Sequence, residues 1–274
     1  MLFALLGLLF AGRVQAGPEH NVSGWAWSGN LGWISFNNTT SGAVINYGVH
    51  ICTGDGDALC GHLATPRGGR LTGFAWSRGT TADVGGIGWI RFDPAGPFPG
   101  APNYSACLDF PGTGQVCDGV GDWMFSGWAR AERAITPEGQ TLGGWDGWIS
   151  MRGTIQAGGT YGVWLNNIIS PMQFRGYAWG GDAGGNSEAV VGWISFNCIE
   201  GGVGGTNICA TSNYKVTTTL NVAPTVTNPL ESLSYCNISP GEGLTSFSWT
   251  YNDADNDNQT HYGLRVWRAG TLVV

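Results

Sequence analysis

A chain of 274 residues with 47 glycines, 14 tryptophans and only 11% charged residues departs from the usual charged share of roughly a quarter. Low charge with abundant aromatics excludes disorder, which needs the reverse balance. A net charge of −7, with Lys215 as the single lysine, excludes nucleic acid and anionic membranes as partners, because no basic patch is present to neutralise phosphates.

The chain opens on Leu2 to Gly12, an apolar run of eleven residues, followed by the cleavage-like Val14-Gln15-Ala16. The run is shorter than the roughly 20 residues that span a bilayer, and residues 1–16 read as a secretory signal peptide. No Lys or Arg precedes it, so only the terminal amine supplies the positive flank. No later stretch is apolar enough to cross a membrane. The expectation is a secreted or cell-surface protein with no membrane insertion after signal cleavage.

Residues 17–220 state one pattern four times. Gly24-Trp25-Ala26-Trp27 with Gly32-Trp33-Ile34-Ser35-Phe36 returns as Gly73-Phe74-Ala75-Trp76 with Gly88-Trp89-Ile90-Arg91-Phe92. The third copy is Gly127-Trp128-Ala129-Arg130 with Gly147-Trp148-Ile149-Ser150-Met151, and the fourth is Gly176-Tyr177-Ala178-Trp179 with Gly192-Trp193-Ile194-Ser195-Phe196. The first elements start 49, 54 and 49 residues apart, a period that marks a repeat architecture. A third element starts at Tyr47, Tyr104, Tyr161 and Tyr214. All three alternate apolar and polar residues at strand period. The chain is therefore read as all-β, built from four copies of a three-stranded repeat of about 50 residues. Propeller-like closure around an axis is favoured over a stacked β-meander. Between the two motifs lie 4, 11, 16 and 12 residues in successive copies, which is fixed strands carrying variable loops. Trp33, Trp89, Trp148 and Trp193 recur in every copy and read as packing positions.

Cysteines fall as Cys52/Cys60, Cys107/Cys117 and Cys198/Cys209, with Cys236 left over. Three similar short spacings in an exported chain suggest three local disulfides. His50-x-Cys52 with Cys60-x-His62 offers a Cys2His2 zinc site as the alternative for the first pair.

Near Asn221 the grammar changes. Pro224 and Pro229 restrict the backbone, and Thr245 to Tyr251 and Tyr262 to Trp267 read as strands about an acidic loop. Residues 221–274 are read as the start of an Ig-like or fibronectin-like β-sandwich. Such a sandwich needs about 100 residues, so an incomplete domain is expected, with further C-terminal domains missing. In Asp253-Ala254-Asp255-Asn256-Asp257-Asn258 the alternating carboxylates resemble the opening of a calcium loop. The Gly and Glu of an EF-hand are replaced by Asn258 and Leu264, leaving a looser calcium site at Asp253, Asp255 and Asp257 against a plain polar turn. No other cofactor is expected.

No familiar catalytic motif is present. The third-copy loop concentrates Arg130, Glu132, Arg133, Glu138 and Asp146 beside Trp145, five charges in seventeen residues of a charge-poor chain. It is the best ligand-binding candidate, together with Trp123 and Trp164, tryptophans outside the repeated motif. Indole faces stack on sugar rings and cations, so carbohydrate or a surface protein are the partners considered. The competing reading is a secreted glycoside hydrolase-like enzyme using two carboxylates of that loop.

These motifs resemble a family of uncharacterised secreted bacterial proteins with G-[YFW]-A-W … G-W-I-x-F β-repeats followed by an Ig-like module. The likeness covers about residues 22 to 267 and is closest at Gly192 to Cys198, Cys209 and Tyr214-Lys215-Val216. It implies a surface or secreted location and brings no established activity. Copy three departs from it at Arg130 and Met151. The expectation is a non-catalytic exported protein acting in adhesion, recognition or envelope display.

Overall fold

In the structure, a computed structural model that describes residues 19–81, 84–109, 117, 121, 123–134, 145–155, 158–181, 189–220, 225–232, 246–252, 267–268 and 271–272, the doubled motif forms four antiparallel hairpins. In chain order the strands are β1 (Val22–Ser28), β2 (Gly32–Ser35), β3 (Val49–Ile51), β4 (Leu71–Thr81), β5 (Val84–Arg91), β6 (Cys107–Asp109) and β7 (Met124–Ser126). They continue as β8 (Trp128–Ala131), β9 (Trp148–Ser150), β10 (Arg152–Ile155), β11 (Gly159–Asn166), β12 (Met172–Gly181), β13 (Ala189–Ser195) and β14 (Val216–Thr218). The hairpins are β1–β2, β4–β5, β8–β9 and β12–β13. Their register is the same in all four: Ala26 opposes Ile34, Ala75 opposes Ile90, Ala129 opposes Ile149 and Ala178 opposes Ile194.

Neighbouring hairpins pair with each other, through β2–β4, β5–β8, β9–β12 and β13–β1, and close an eight-stranded antiparallel barrel. Closure occurs, but as a barrel and not as propeller blades or a stack. A blade pairs only within itself, whereas each hairpin here bonds to the next.

The glycine of the first motif explains the change of partners. Before it, β1 pairs with β3 and β14; after it, with β2 and β13. Gly24, Gly73, Gly127 and Gly176 all have φ between +79° and +97°. A Cβ there would stand 2.1 Å from the Lys215 carbonyl oxygen, 2.1 Å from that of Gly48, 2.4 Å from Ser105 and 2.2 Å from Gly162. Each of those carbonyls follows a third-element tyrosine of the preceding copy, with the fourth copy closing on the first. Only glycine satisfies both the left-handed backbone and the close approach.

The alternation reads directly as inside and outside. Ala26, Ala75, Ala129 and Ala178 are fully buried beside Ile34, Ile90, Ile149 and Ile194, alternating small and large residues to fill the interior. A second layer joins Phe36 to Phe92 and Phe196 at 5.5 and 5.6 Å, with Phe174 at 6.4 Å. Each large side chain buried this way contributes about 1.5–3 kcal/mol. The recurring tryptophans do pack, but on the outer face.

Three disulfides, Cys52–Cys60, Cys107–Cys117 and Cys198–Cys209, clip loops of this unit, which indicates an oxidising environment. No helix among the described residues is long and apolar enough to cross a membrane. The chain divides into two compact units, Met1–Asn166 with Pro171–Leu220, and Asn167–Ser170 with Asn221–Val274. The second contains an antiparallel pair, β15 (Thr225–Ser232) with β16 (Ser246–Asn252), and a short one, β17 (Trp267–Arg268) with β18 (Thr271–Leu272). The signal-like residues 1–16, Cys236, and Asp253, Asp255 and Asp257 lie outside the described residues.

Candidate functional site

Outside the barrel each motif tryptophan sits in a cluster of rings. Trp33 meets Trp27 at 4.6 Å, Trp25 at 6.3 Å and Tyr214 at 5.4 Å. Trp89 meets Trp76, Phe74 and Tyr47 at 4.4, 6.1 and 5.1 Å, and Trp193 meets Trp179, Tyr177 and Tyr161 at 4.6, 6.0 and 5.0 Å. Mostly edge-to-face contacts of this kind contribute about 0.5–1.5 kcal/mol beyond burial. The tyrosine in each cluster comes from the preceding copy, and its hydroxyl returns to that copy's own motif serine. Tyr47 donates to Ser35 Oγ at 2.8 Å and Tyr214 to Ser195 Oγ at 2.9 Å. Burial raises the Tyr161 and Tyr214 pKa values, against the lowering effect of Ser150 and Ser195, so both hydroxyls remain protonated donors at neutral pH.

Copy two breaks this rule. Arg91 occupies the serine position, and the Tyr104 hydroxyl bonds Ser126 Oγ at 3.0 Å instead. At the same hairpin, Ile45, Asn46, Tyr47, Phe74 and Trp89 line a cleft of about 220 Å³. On the outer face Phe74 opposes Arg91, and Trp76 opposes Trp89. Arg91 Cζ lies 5.8 Å from the Phe74 ring centroid.

Beyond Arg91 the face turns polar. Arg91 Nε donates to Asp93 Oδ1 at 3.1 Å, and Asp93 Oδ2 lies 2.7 Å from His62 Nε2 and accepts from Thr72 Oγ1 at 3.0 Å. Asp93 is buried, 5% exposed at its side chain, while Arg91 and His62 are 40% and 51% exposed. Thr72 Oγ1 is also 3.2 Å from His62 Nε2. Hydroxyl and carboxylate thus share one ring nitrogen, whereas a nucleophile relay needs them on opposite nitrogens. The geometry of this group is not that of a histidine base activating Thr72.

His50 makes a separate buried pair with Asp57, Nε2 to Oδ2 at 2.8 Å, and its Nδ1 accepts from the Asn21 N–H at 3.3 Å. Nε2 is therefore the protonated nitrogen. Burial pushes the Asp57 carboxyl up, but the His50 hydrogen bond, the Thr53 and Leu59 N–H groups and the attraction of His50 when its ring is protonated outweigh it and hold it below its usual range. The Cys2His2 zinc alternative does not stand. Both sulfurs are consumed in a disulfide, and His62 turns to Asp93.

The third-copy candidates divide. Arg130 stacks its guanidinium 4.3 Å from the Trp148 ring and donates Nε to the Asp146 carbonyl at 3.2 Å. It takes the place of the tryptophan found there in the other copies. Burial lowers the Arg130 pKa, with Asp146 and Glu132 opposing. Asp146 Oδ1 accepts from the Trp148 N–H at 3.2 Å. Glu132 and Arg133 are exposed on a short 3-10 turn. Trp145 is only 5% exposed. Trp164 opposes Met124, and the Leu165 N–H bonds the Trp123 carbonyl at 2.8 Å. Trp123 and Trp164 therefore lie on neighbouring backbone segments where β7 pairs with β11. Glu138 lies outside the described residues.

Sequence reasoning named His62 only as a zinc ligand, and it missed Arg91, Asp93 and the placing of Tyr47 and Phe74 beside one cleft. The legible signal was Arg91 itself, standing where three copies have serine. No protein-family model, curated protein or solved structure matches this chain.

Proposed function

We propose that this chain is an exported bacterial β-repeat protein, secreted or displayed at the cell surface, that acts in adhesion, recognition or envelope display without catalysis. The observation that carries the reading is the set of aromatic clusters on the outside of a closed barrel. The barrel interior is filled with alanine, isoleucine and phenylalanine side chains, so contacts with a partner fall to the exterior. The four sequence copies act as four structural repeats, each a hairpin plus a third strand, and their unequal loops supply the differences between faces. Disulfides fit an oxidising compartment, and residues 1–16 act as the export signal. Residues 221–274 begin an Ig-like module, in keeping with the family of secreted bacterial repeat proteins that the motifs resemble.

The test is retention of the secreted full chain on a panel of polysaccharides and cell envelopes, followed by tryptophan fluorescence. Saturable binding with a fluorescence change is expected. Full-length, folded protein that binds no member of the panel refutes recognition and leaves a structural spacer.

A further inference from the structure

The cleft at Trp89 differs from the other outer clusters in the chemistry at its rim. Its floor is aromatic, from Tyr47, Phe74 and Trp89, and the exposed Ile45 forms one wall. Asn46 Oδ1 already accepts from Asn38 Nδ2 at 3.1 Å, so the Asn46 group on offer is its Nδ2 donor. Both oxygens of Asp93 are engaged, one by Arg91 and one by His62 and Thr72. Arg91 donates through Nε among the described residues, and its side chain is 40% exposed, so the Nη groups are the donors it has to offer. The free capacity of this rim is donation, with one fixed positive charge. The matching occupant has an apolar ring face and a carboxylate on its edge.

We infer that this cleft is a binding subsite for a carboxylate-bearing sugar ring, a hexuronate unit of an acidic polysaccharide. This rests on the recognition reading above and names the ligand class for one face. The ring packs against Phe74 and Trp89, and its carboxylate takes the Arg91 Nη groups in the paired geometry that guanidinium favours. Asp93 holds Arg91 in place from behind, and its own charge is spent on Arg91, Thr72 and His62. A peptide occupant is less well served. Extended peptides are captured by adding a strand to an open sheet edge, and the strands of this barrel are closed on both sides.

The position of Arg91 supports a role beyond packing. The serine that it replaces anchors a tyrosine hydroxyl in the other copies, and Ser126 has taken over that duty for Tyr104. The scaffold bond is preserved at a second position, while the first carries a charge that Asp93 holds through Nε.

The experiment titrates the oxidised full chain with a galacturonate oligomer and with its carboxyl-reduced neutral counterpart, by tryptophan fluorescence and calorimetry. The acidic oligomer is expected to bind, more weakly as salt rises, and at least tenfold better than the neutral one. Arg91→Gln should weaken it by about 10- to 100-fold, the worth of a charge-assisted hydrogen bond. Ile45→Asp, at a side chain 68% exposed, should abolish it while leaving near-UV circular dichroism and the melting temperature unchanged. Equal binding of both oligomers, unaffected by Arg91→Gln, overturns the carboxylate assignment. Acidic-oligomer binding that survives both variants places the site elsewhere and overturns the subsite. Absence of binding to either oligomer, in protein that still binds another polysaccharide or an envelope on the panel, overturns the subsite and leaves the broader reading standing.

Discussion

Replacing Gly73 with alanine isolates the feature on which the barrel depends. Its φ is +87°, and a Cβ would stand 2.1 Å from the Gly48 carbonyl oxygen, far inside contact distance. Two costs combine there. An L-residue in the left-handed region costs roughly 1–2 kcal/mol. The clash is with backbone, so relief requires separating β4 from β3, whose register pairs Val49 with Gly73. Losing one or two ladder hydrogen bonds adds about 1–3 kcal/mol, for a total of about 2–5 kcal/mol. Two internal controls separate these costs. Gly42 has φ +67° with nothing within 4 Å, and Gly29 has neither positive φ nor a neighbour in that range. Gly42→Ala should cost only the backbone part, about 1 kcal/mol, and Gly29→Ala should fall within about 0.5 kcal/mol of the parent. Urea unfolding of the oxidised protein, followed by tryptophan fluorescence, measures all three. If Gly73→Ala is no worse than Gly42→Ala, the close approach is not what fixes this glycine, and the account of strands changing partners at it fails as well.

Tyr214→Phe removes a hydroxyl that donates to the buried Ser195 Oγ at 2.9 Å; a loss of about 1–2 kcal/mol is expected, and a change below about 0.3 kcal/mol would show that the tyrosine acts through its ring alone. Half-buried His20 has its pKa lowered from 6.5 to about 4, first by burial and second by the nearby His50 charge. A base with a depressed folded-state pKa gives stability that is fully present above pH 6.5 and is lost as pH falls towards 4, because the unfolded chain takes up the proton first. After discounting for solvent screening, about 1–2 kcal/mol should disappear across that window; His20→Gln should flatten that part of the profile in unfolding midpoints read at pH 4.5 and 7.5, and an unchanged slope would refute the assignment.

Strand content and face assignment were legible in this sequence because period-two alternation reports them residue by residue. Ala26 and Ile34 were visibly on one side of their strands and Trp25 and Trp27 on the other. Which side became the interior was less evident. Recurrence of Trp33, Trp89, Trp148 and Trp193 suggested packing, and they do pack, but outside, because a barrel of eight strands has room inside for alanine against isoleucine and not for indole. The mode of closure was not legible. Alternation within a strand carries no record of its neighbours, and the information lies in one glycine whose φ is invisible in the letters. Gly24 and Gly73 read equally well as turn filler or as pivots until the carbonyls of Lys215 and Gly48 are placed against them.

The same contrast decides how departures from a repeat are to be read. Arg130 and Arg91 both interrupt the pattern with a cation, and composition alone favoured Arg130, with its cluster of charged neighbours. The structure separates them by what each leaves behind. Arg130 replaces a tryptophan and does that residue's work, covering Trp148 at 4.3 Å. Arg91 replaces a serine whose hydrogen bond moves to Ser126, and then stands partly exposed beside a cleft, donating through Nε alone among the described residues. A position where the repeat sets a cation beside an apolar cleft, and re-routes a scaffold bond around it, is where recognition should be sought.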